Sequence, residues 1–516
     1  MERRHAAVLC AAVLVALVVH ARAALNPCDD AYIIFRYVEN VLAGQGAIYN
    51  PGERVFGISC PLYFVWLVAA KAALPSFSLE ALASRGNVLF LSAAGMLASL
   101  LLRHLGAARW AATLGGVAVI LGEPALRPSL GGMESPLYLT LSFGALLAIV
   151  HHRDTAAVLL ASLATLTRPE GMLLLGVVLV ALLLKPERSL QPLAGLAPLV
   201  LWGLWAWAAY GNPVPHSIVA KSRPLYPLPA GTALGSLSSQ IGHWTIDGVL
   251  TLVWSLSGRA GRELSRWIYV WPGAVVTLWG LWQWWRWRGD DDRLRRLALP
   301  AYLVLLVVFY AVTNPLLQAW YTPLTYAPWV ALMLGASLTR RPDDPVHGRL
   351  VRAGAASLLV STLAASFVYY MVPSEQGLIL HGAHSGRQVA QMRAYELAAR
   401  WIGEHSQATD TVAAAEIGIV GRVLPRRILD ACGLVSPQAL PWIPAPPGER
   451  GAQLGSIPTG LIREERPEFV MMLPAFAERS LLVDPWFLGA YELVHEEPFL
   501  TGDPRYRAVL VYRRRT

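Results

Sequence analysis

Charge is scarce in this chain. Asp, Glu, Lys and Arg make up only 15% of its 516 residues while 55% are hydrophobic, and the mean hydropathy is +0.44. That balance excludes a soluble globular protein of this length and leaves a polytopic membrane protein. Cysteine is scarcer still: Cys10, Cys28, Cys60 and Cys432 are the only four, too few for a disulfide framework. A P-loop, a GxGxxG turn after a strand, an HExxH pair and a GxSxG elbow are all missing, so nucleotide hydrolysis, metalloprotease and serine-hydrolase chemistry have no motif to rest on. There is no internal repeat and no low-complexity linker.

The net charge of +9 would suit nucleic acid if it covered a soluble surface. It does not: residues 1–372 hold 28 Lys and Arg against 18 Asp and Glu, and residues 373–516 hold 15 against 16. The excess lies in the apolar part, where span orientation requires it, and no nucleic-acid partner is expected. About eleven spans are expected, at residues 6–25 and approximately 86–102, 110–122, 135–150, 156–167, 171–184, 192–209, 267–285, 297–312, 322–338 and 351–372. The small-x-small run Ala21-Arg22-Ala23 raises a cleavable signal peptide for the first, but the length of the run favours a retained anchor. Basic residues mark alternate connections (103–109, 151–153, 185–188, 286–296 and 340–352) as cytoplasmic. The opposite connections, 26–85, 123–134, 167–171, 210–266 and 313–321, then lie outside with everything after 372.

The outer set carries the chemistry. Its first loop reads NPCDDAYIIFRYVENVLAGQGAIYNPGERVFGISCP, with Asp29 and Asp30 where an apolar span ends. A charge near the hydrocarbon costs about 2.5–3.5 kcal/mol on insertion scales, so such a pair is paired, hydrated or used. Topology adds Arg36, Tyr37, Glu53 and Arg54, then Glu134 in GGMESP, Arg168 and Glu170 in TRPEG, His216 and Lys221 in NPVPHSIVAKS, and Trp320 with Tyr321. Carboxylates and cations converging from many loops make up a general base with an anion cradle. Acids beside a membrane with separated Lys and Arg suit a lipid-linked phosphate, whose tail stays in the bilayer. Within the same loop, residues 62–74 would rise only about 20 Å as a helix, short of a core about 30 Å thick, and read as interfacial or re-entrant. Cys28 and Cys60 flank the loop and are either a staple or two small apolar residues.

From about residue 373 the character changes to a soluble α/β-type domain of about 140 residues. An amphipathic helix is expected over 388–405 and short strands at 411–414, 427–429, 469–473 and 508–512.

The stretch DDAYIIFRYVENVLAGQGAIYNPGERVFGISCPLY resembles the first-loop signature of the GT-C class of integral-membrane glycosyltransferases, closest to the branch of the mycobacterial arabinofuranosyltransferase B. GGMESPLY, LTRPEG, YGNPVPHSIVAKS and EIGIVGRVLPRRILDACGLVSP resemble later landmarks of that branch in the same order. The resemblance implies a helical GT-C fold with a soluble extracytoplasmic domain, in a bacterial cytoplasmic membrane. It also implies a polyprenyl-phosphate sugar donor, inversion at the anomeric carbon, and a glycan or glycolipid acceptor at the envelope, with arabinofuranose the preferred sugar. The first-loop acid is the general base; of Asp29 and Asp30, Asp29 is preferred, leaving the second to bind acceptor, hold an arginine or help bind a metal. Lys221, then Arg168, are the candidates for the donor phosphate. His216 stands where the branch has an asparagine or a similar residue, which leaves it a hydrogen-bond donor of less defined role. The acids leave room for a divalent cation, but no ligand spacing identifies one, and no other cofactor is expected.

Plainer readings stand beside these. Glu53 and Arg54 suit a structural ion pair, Glu134 a first-turn helix acid, Arg168 and Glu170 an internal salt bridge, Lys221 a surface lysine, and Trp320 and Tyr321 an interfacial belt. The tail suits an acceptor-binding or lid module, or structural support. The competing class, a flippase of lipid-linked sugars, would show matched halves with interrupted spans, and none is visible.

Overall fold

The computed structural model describes residues 3–22, 25, 27–185, 189–223, 228–241, 277–278, 281–282, 297–338, 386–450, 456–499 and 506–515. It divides into two compact units. One comprises Met1–Leu25, Ala83–Val200 and Ala230–Ala383, the other Asn26–Leu82, Leu201–Pro229 and His384–Thr516.

The first unit is helical. α1 (Arg3–Arg22), α4 (Leu79–His104) and the stretch Gln191–Tyr210 ending in α10 (Ala197–Tyr210) are long and apolar enough to cross a membrane, the three that are so among the described residues. Between them run α5 (Arg109–Leu121), α6 (Glu123–Leu130), α7 (Ser135–Val150), α8 (Asp154–Thr167) and α9 (Gly171–Leu183), followed later by α12 (Ala298–Thr313) and α13 (Thr322–Leu338). Every expected span that falls among these residues is helical, and the chain is a multi-pass membrane protein. The run at 351–372 and most of 267–285 lie outside the described residues, as does the tryptophan-rich end of the latter beyond Trp282. Hydrophobicity gives lipid-embedded helices no reason to associate, so small residues do the work. A Cβ on Gly95 would lie 2.7 Å from the Gly116 carbonyl, and one on Gly116 the same distance from that of Gly95, so α4 and α5 touch backbone to backbone.

The second unit joins distant stretches of chain. α2 (Asp29–Leu42), α3 (Pro61–Ala73) and α11 (His216–Lys221) fold with α14 (Gly386–His405), α15 (Gly418–Val423), α16 (Thr459–Glu465), α17 (Pro485–Ala490) and a five-stranded sheet. The strands β1 (Thr411–Ala414), β2 (Arg427–Asp430), β3 (Phe469–Met472), β4 (Tyr491–Pro498) and β5 (Ala508–Arg514) lie in the order β2-β1-β3-β5-β4. β1 is parallel to β2 and β3, while β5 is antiparallel to β3 and β4. β1, β2 and β3 are almost wholly buried, and apolar except for Thr411 of β1 and Arg427 and Asp430 at the ends of β2, which is why they read as strands. β4, YELVHEEP, lies at the edge, with Glu492 and Leu493 exposed. Charge on an edge strand guards against stray pairing and hides the strand from a hydrophobic reading, so it was not expected. The helix expected at 62–74 is α3, 13 residues long.

The first loop is fastened to the tail by polar groups that satisfy one another. Arg36 of α2, 6% exposed, donates from Nε to the Tyr49 carbonyl (2.8 Å), from Nη1 to Gly421 (3.0 Å) and from Nη2 to Arg426 (2.8 Å), and lies 4.3 Å over the Tyr49 ring. Tyr49 donates its hydroxyl to the Ile417 carbonyl at 2.6 Å. The side-chain amide of Asn50 acts as a strand would at the edge of β2: Nδ2 donates to the Ile428 carbonyl (2.9 Å) and Oδ1 accepts the Ile428 amide (3.0 Å). Arg36→Met would leave three carbonyls without this donor. Hydrogen bonds from a charged group are worth roughly 1.5–3 kcal/mol each, so the variant is expected to lose at least about 3 kcal/mol in the second unit. Limited proteolysis of the tail in the full-length, detergent-solubilised protein reads this, and protection equal to that of the unaltered chain would refute it.

Candidate active site

The two aspartates of the first loop have separate fates. Asp29 opens α2, and its carboxylate turns to the tail, where Oδ2 accepts the Gly418 amide and Oδ1 the Ile419 amide, both at 2.8 Å. It caps the first turn of α15. A Cβ on Gly418 would lie 1.8 Å from the Asp29 carbonyl oxygen, so the two backbones are in direct contact. Asp30 has no hydrogen bond or ion pair among the described residues and is partly exposed. One aspartate is committed to holding the loop, and its neighbour is left with a free carboxylate.

Tail acids surround this pair. Glu416 lies two residues before Gly418, and Gln391 of α14 donates from Nε2 to both its carboxylate oxygens (3.0 and 2.9 Å). Asp430, fully buried, accepts the amides of Cys432 (2.8 Å) and Val435 (3.1 Å) and so shapes the turn after β2. Burial is the first cause of a raised pKa in each: Asp29 is pushed up to about 6, its two amide donors opposing the rise, and Asp430 also to about 6. Glu416 is pushed up to about 8 by burial and then by the charge of Asp29. Among the described residues no three His, Cys, Asp or Glu side chains converge to hold a metal ion.

The remaining expected residues fall into three groups. Arg36 is the fastening just described. Tyr37 is a second one, its hydroxyl donating to the Val55 carbonyl (2.7 Å) and accepting the Gly57 amide (2.8 Å). Glu53 pairs with Arg427 at 2.6 Å, not with its neighbour Arg54, which is exposed and has no ion-pair partner among the described residues. Cys28 and Cys60 are both buried, and no disulfide joins them.

In the first unit Arg168, Glu134 and Glu170 are buried together. The guanidinium meets Glu134 through Nη1 and grips Glu170 with two bonds (3.2 and 3.1 Å), and Tyr310 donates to the same Glu170 carboxylate at 2.9 Å. Tyr321 lies under the guanidinium, its ring 4.5 Å away, and Ser135 donates to the Trp320 carbonyl. Arg168, expected at a phosphate, is thus held by two carboxylates, which carry one more negative charge than it balances.

In the second unit His216 and Lys221 bound the single-turn helix α11. The His216 amide donates to the Phe56 carbonyl (2.7 Å), and its Nε2 is buried without a partner among the described residues; Lys221 is exposed at the other end. Phe56, Trp202, Trp205 and Tyr210 pack beside this turn, with Phe56 5.5 Å from Trp202 and 5.3 Å from Tyr210.

Residues 385–512 match a family model described as a domain of unknown function (DUF8728). The terminal β-(1→2)-arabinofuranosyltransferase of Corynebacterium glutamicum is 26% identical over 355 residues, 58% of this chain and 51% of its own, so the chain spans about half the length of that curated relative. Among solved structures, ArnT of Cupriavidus metallidurans in the apo state superposes with a TM-score of 0.51 at 13% identity over 97% of each chain. The oligosaccharyltransferase of Archaeoglobus fulgidus, in a complex with Zn and sulfate, gives 0.51 at 13% identity, over 90% of this chain and 67% of that one. This chain has the GT-C fold. Its relation to arabinofuranosyltransferases rests on the sequence match.

In this GT-C chain Glu416 and Gln391 lie beside the acid pair without having been expected there. Glu416 stands in the quoted EIGIV motif, and its one visible signal is a lone acid between an apolar strand and a helix. The raised carboxyls carry a consequence for stability. Asp29 and Glu416 bind a proton more tightly folded than unfolded, so their contribution is complete below the ordinary carboxylate range and is lost as pH rises through about 6 and then about 8. The thermal midpoint of the second unit is expected to fall from pH 5 to pH 8.5 at constant ionic strength. A midpoint that rises over that interval would show these carboxyls to be ionised at no cost.

Proposed function

We propose that this chain is an inverting membrane glycosyltransferase. It moves a sugar from a polyprenyl phosphate to a hydroxyl of an envelope glycan or glycolipid at the outer face of the cytoplasmic membrane. The observation that carries the reading is the division of labour in the first loop: Asp29 is held by two tail amides, and Asp30 beside it keeps a free carboxylate. The fold supports the donor class, since ArnT, of the same architecture, is known bound to undecaprenyl phosphate (TM-score 0.50, 14% identity, 98% of this chain and 97% of that one). Arabinofuranose is the preferred sugar because the matching curated relative transfers it.

In this scheme Asp30 takes the proton of the acceptor hydroxyl as its oxygen attacks the anomeric carbon from the face opposite the phosphate. The bond from that carbon to the phosphate oxygen breaks, and the polyprenyl phosphate leaves with the electron pair. It needs charge compensation and no proton. Lys221 supplies the compensation, with the buried Nε2 of His216 as a hydrogen-bonding partner. Arg168 stays paired with Glu134 and Glu170 within the first unit, and Arg54 is proposed for substrate contact. Asp29 is preferred on sequence; its two amide bonds to the tail are the reason Asp30 is proposed as the base.

Purified full-length protein given polyprenyl-phosphate arabinofuranose and an arabinan acceptor is expected to form a glycosidic product with inverted configuration. Asp30→Asn is expected to lower the rate by about 10²–10⁴-fold, the usual worth of a general base, and Lys221→Ala to raise the donor KM more than it lowers kcat. An Asp30→Asn variant as fast as the unaltered enzyme would refute the base, and lipid-sugar translocation with no covalent product would replace the enzyme with a flippase.

A further inference from the structure

Glu416 has no part in the transfer just described, yet the fold brings it to the acid pair. It follows β1 directly, and two residues later the chain offers Asp29 the amides of Gly418 and Ile419. Asp29 and Asp30 of α2 face it, together with the Tyr395 hydroxyl of α14 and the Cys432 thiol after β2. Asp430 also acts on that thiol, and its own carboxylate is taken up by the amides of Cys432 and Val435. No Lys or Arg pairs with Glu416 among the described residues; its partner is the neutral amide of Gln391. Two cations of this unit are committed elsewhere, Arg36 to backbone carbonyls and Arg422 to Glu39 and Glu80.

Carboxyls this close, held by the neutral amides of Gly418, Ile419 and Gln391 and with no Lys or Arg paired to Glu416 among the described residues, cannot all ionise cheaply, because each charge raises the proton affinity of the others. We infer that Glu416 is a positioning residue: supplied by the tail and held by Gln391, it keeps its proton beside the acid pair, and so limits the negative charge next to the base. The inference rests on the proposed transfer. Burial and the Asp29 charge, which push this carboxyl up to about 8, are consistent with it. When Glu416 does ionise, its negative charge adds to the acid pair and opposes an incoming phosphate, so transfer declines on the alkaline side.

Three proteins test this in full-length form: the unaltered chain, Glu416→Gln and Gln391→Met. The unaltered enzyme is expected to lose activity with an alkaline midpoint near 8. Glu416→Gln, neutral at every pH, keeps transfer at pH 7 within about threefold and abolishes that decline. Gln391→Met, lacking the donor that favours the carboxylate, moves the decline to higher pH. A merely structural Glu416 would leave the midpoint where it was, and an unchanged midpoint in both variants overturns the inference, as does a folded Glu416→Gln without activity at pH 7. Infrared difference spectra between pH 7 and pH 9 read the same proton without turnover: a protonated-carboxyl band lost on raising the pH, and absent in Glu416→Gln, supports the inference. With that band present but no transfer from any donor, the proposed function fails and the proton on Glu416 stands; with no such band, the inference fails whatever the activity.

Discussion

One contact sets the rest of the second unit: the Asp29 carboxylate on the amides of Gly418 and Ile419. It joins residues 389 and 390 positions apart in the chain, and the bare Cα of Gly418 is what lets the backbones meet. The ordering of so long a connection costs entropy that a lone pair of hydrogen bonds would not offset. Arg36, Tyr49, Asn50 and Glu53 share the burden, each bonding to residues 417–428. The same contact determines which aspartate is free. Asp29 is occupied by two amides, and Asp30, on the same helix, has no such bonds among the described residues.

Charge is handled in two ways in this molecule. In the first unit, buried carboxylates are paired directly with a cation: Arg168 bonds to Glu134 and Glu170, and Tyr310 donates to Glu170. Burying such a set yields little net stability, and removing one member is expensive because the others are left uncompensated. In the second unit the acids around Asp29 have amides and a glutamine for company instead of cations. Their proton affinity rises, which is the property a base needs and a structural ion pair would suppress.

Much of this could be read from the residues, and the parts that could not share a cause. Apolar runs located the expected spans that are described, whereas α6 falls in a stretch expected as an outer connection, and short runs located β1, β2 and β3. β4 escaped because Glu492, Glu496 and Glu497 mask an edge strand whose pairing is all backbone. The acid pair was visible as charge at a membrane edge. Which member was free was not, because that depends on amides almost four hundred residues away. Arg36 and Arg168 looked alike as outer-face cations awaiting an anion, but Arg36 meets backbone carbonyls, which have no signature of residue type. Arg168 meets Glu170 two residues on, a pairing that its TRPEG context already offered as the plain alternative. Glu416 had a motif around it and no partner of recognisable chemistry.

The measurement that bears most directly on this account is the transfer rate of full-length Ile419→Pro. Proline is accepted in the first turn of a helix, so α15 persists while Asp29 loses the amide that binds its Oδ1. A misplacement of about 1 Å can cost about a hundredfold in rate, and the account predicts a fall of that order with the donor KM little changed. Transfer at the unaltered rate would contradict it, showing that the tail's hold on Asp29 has no bearing on the chemistry.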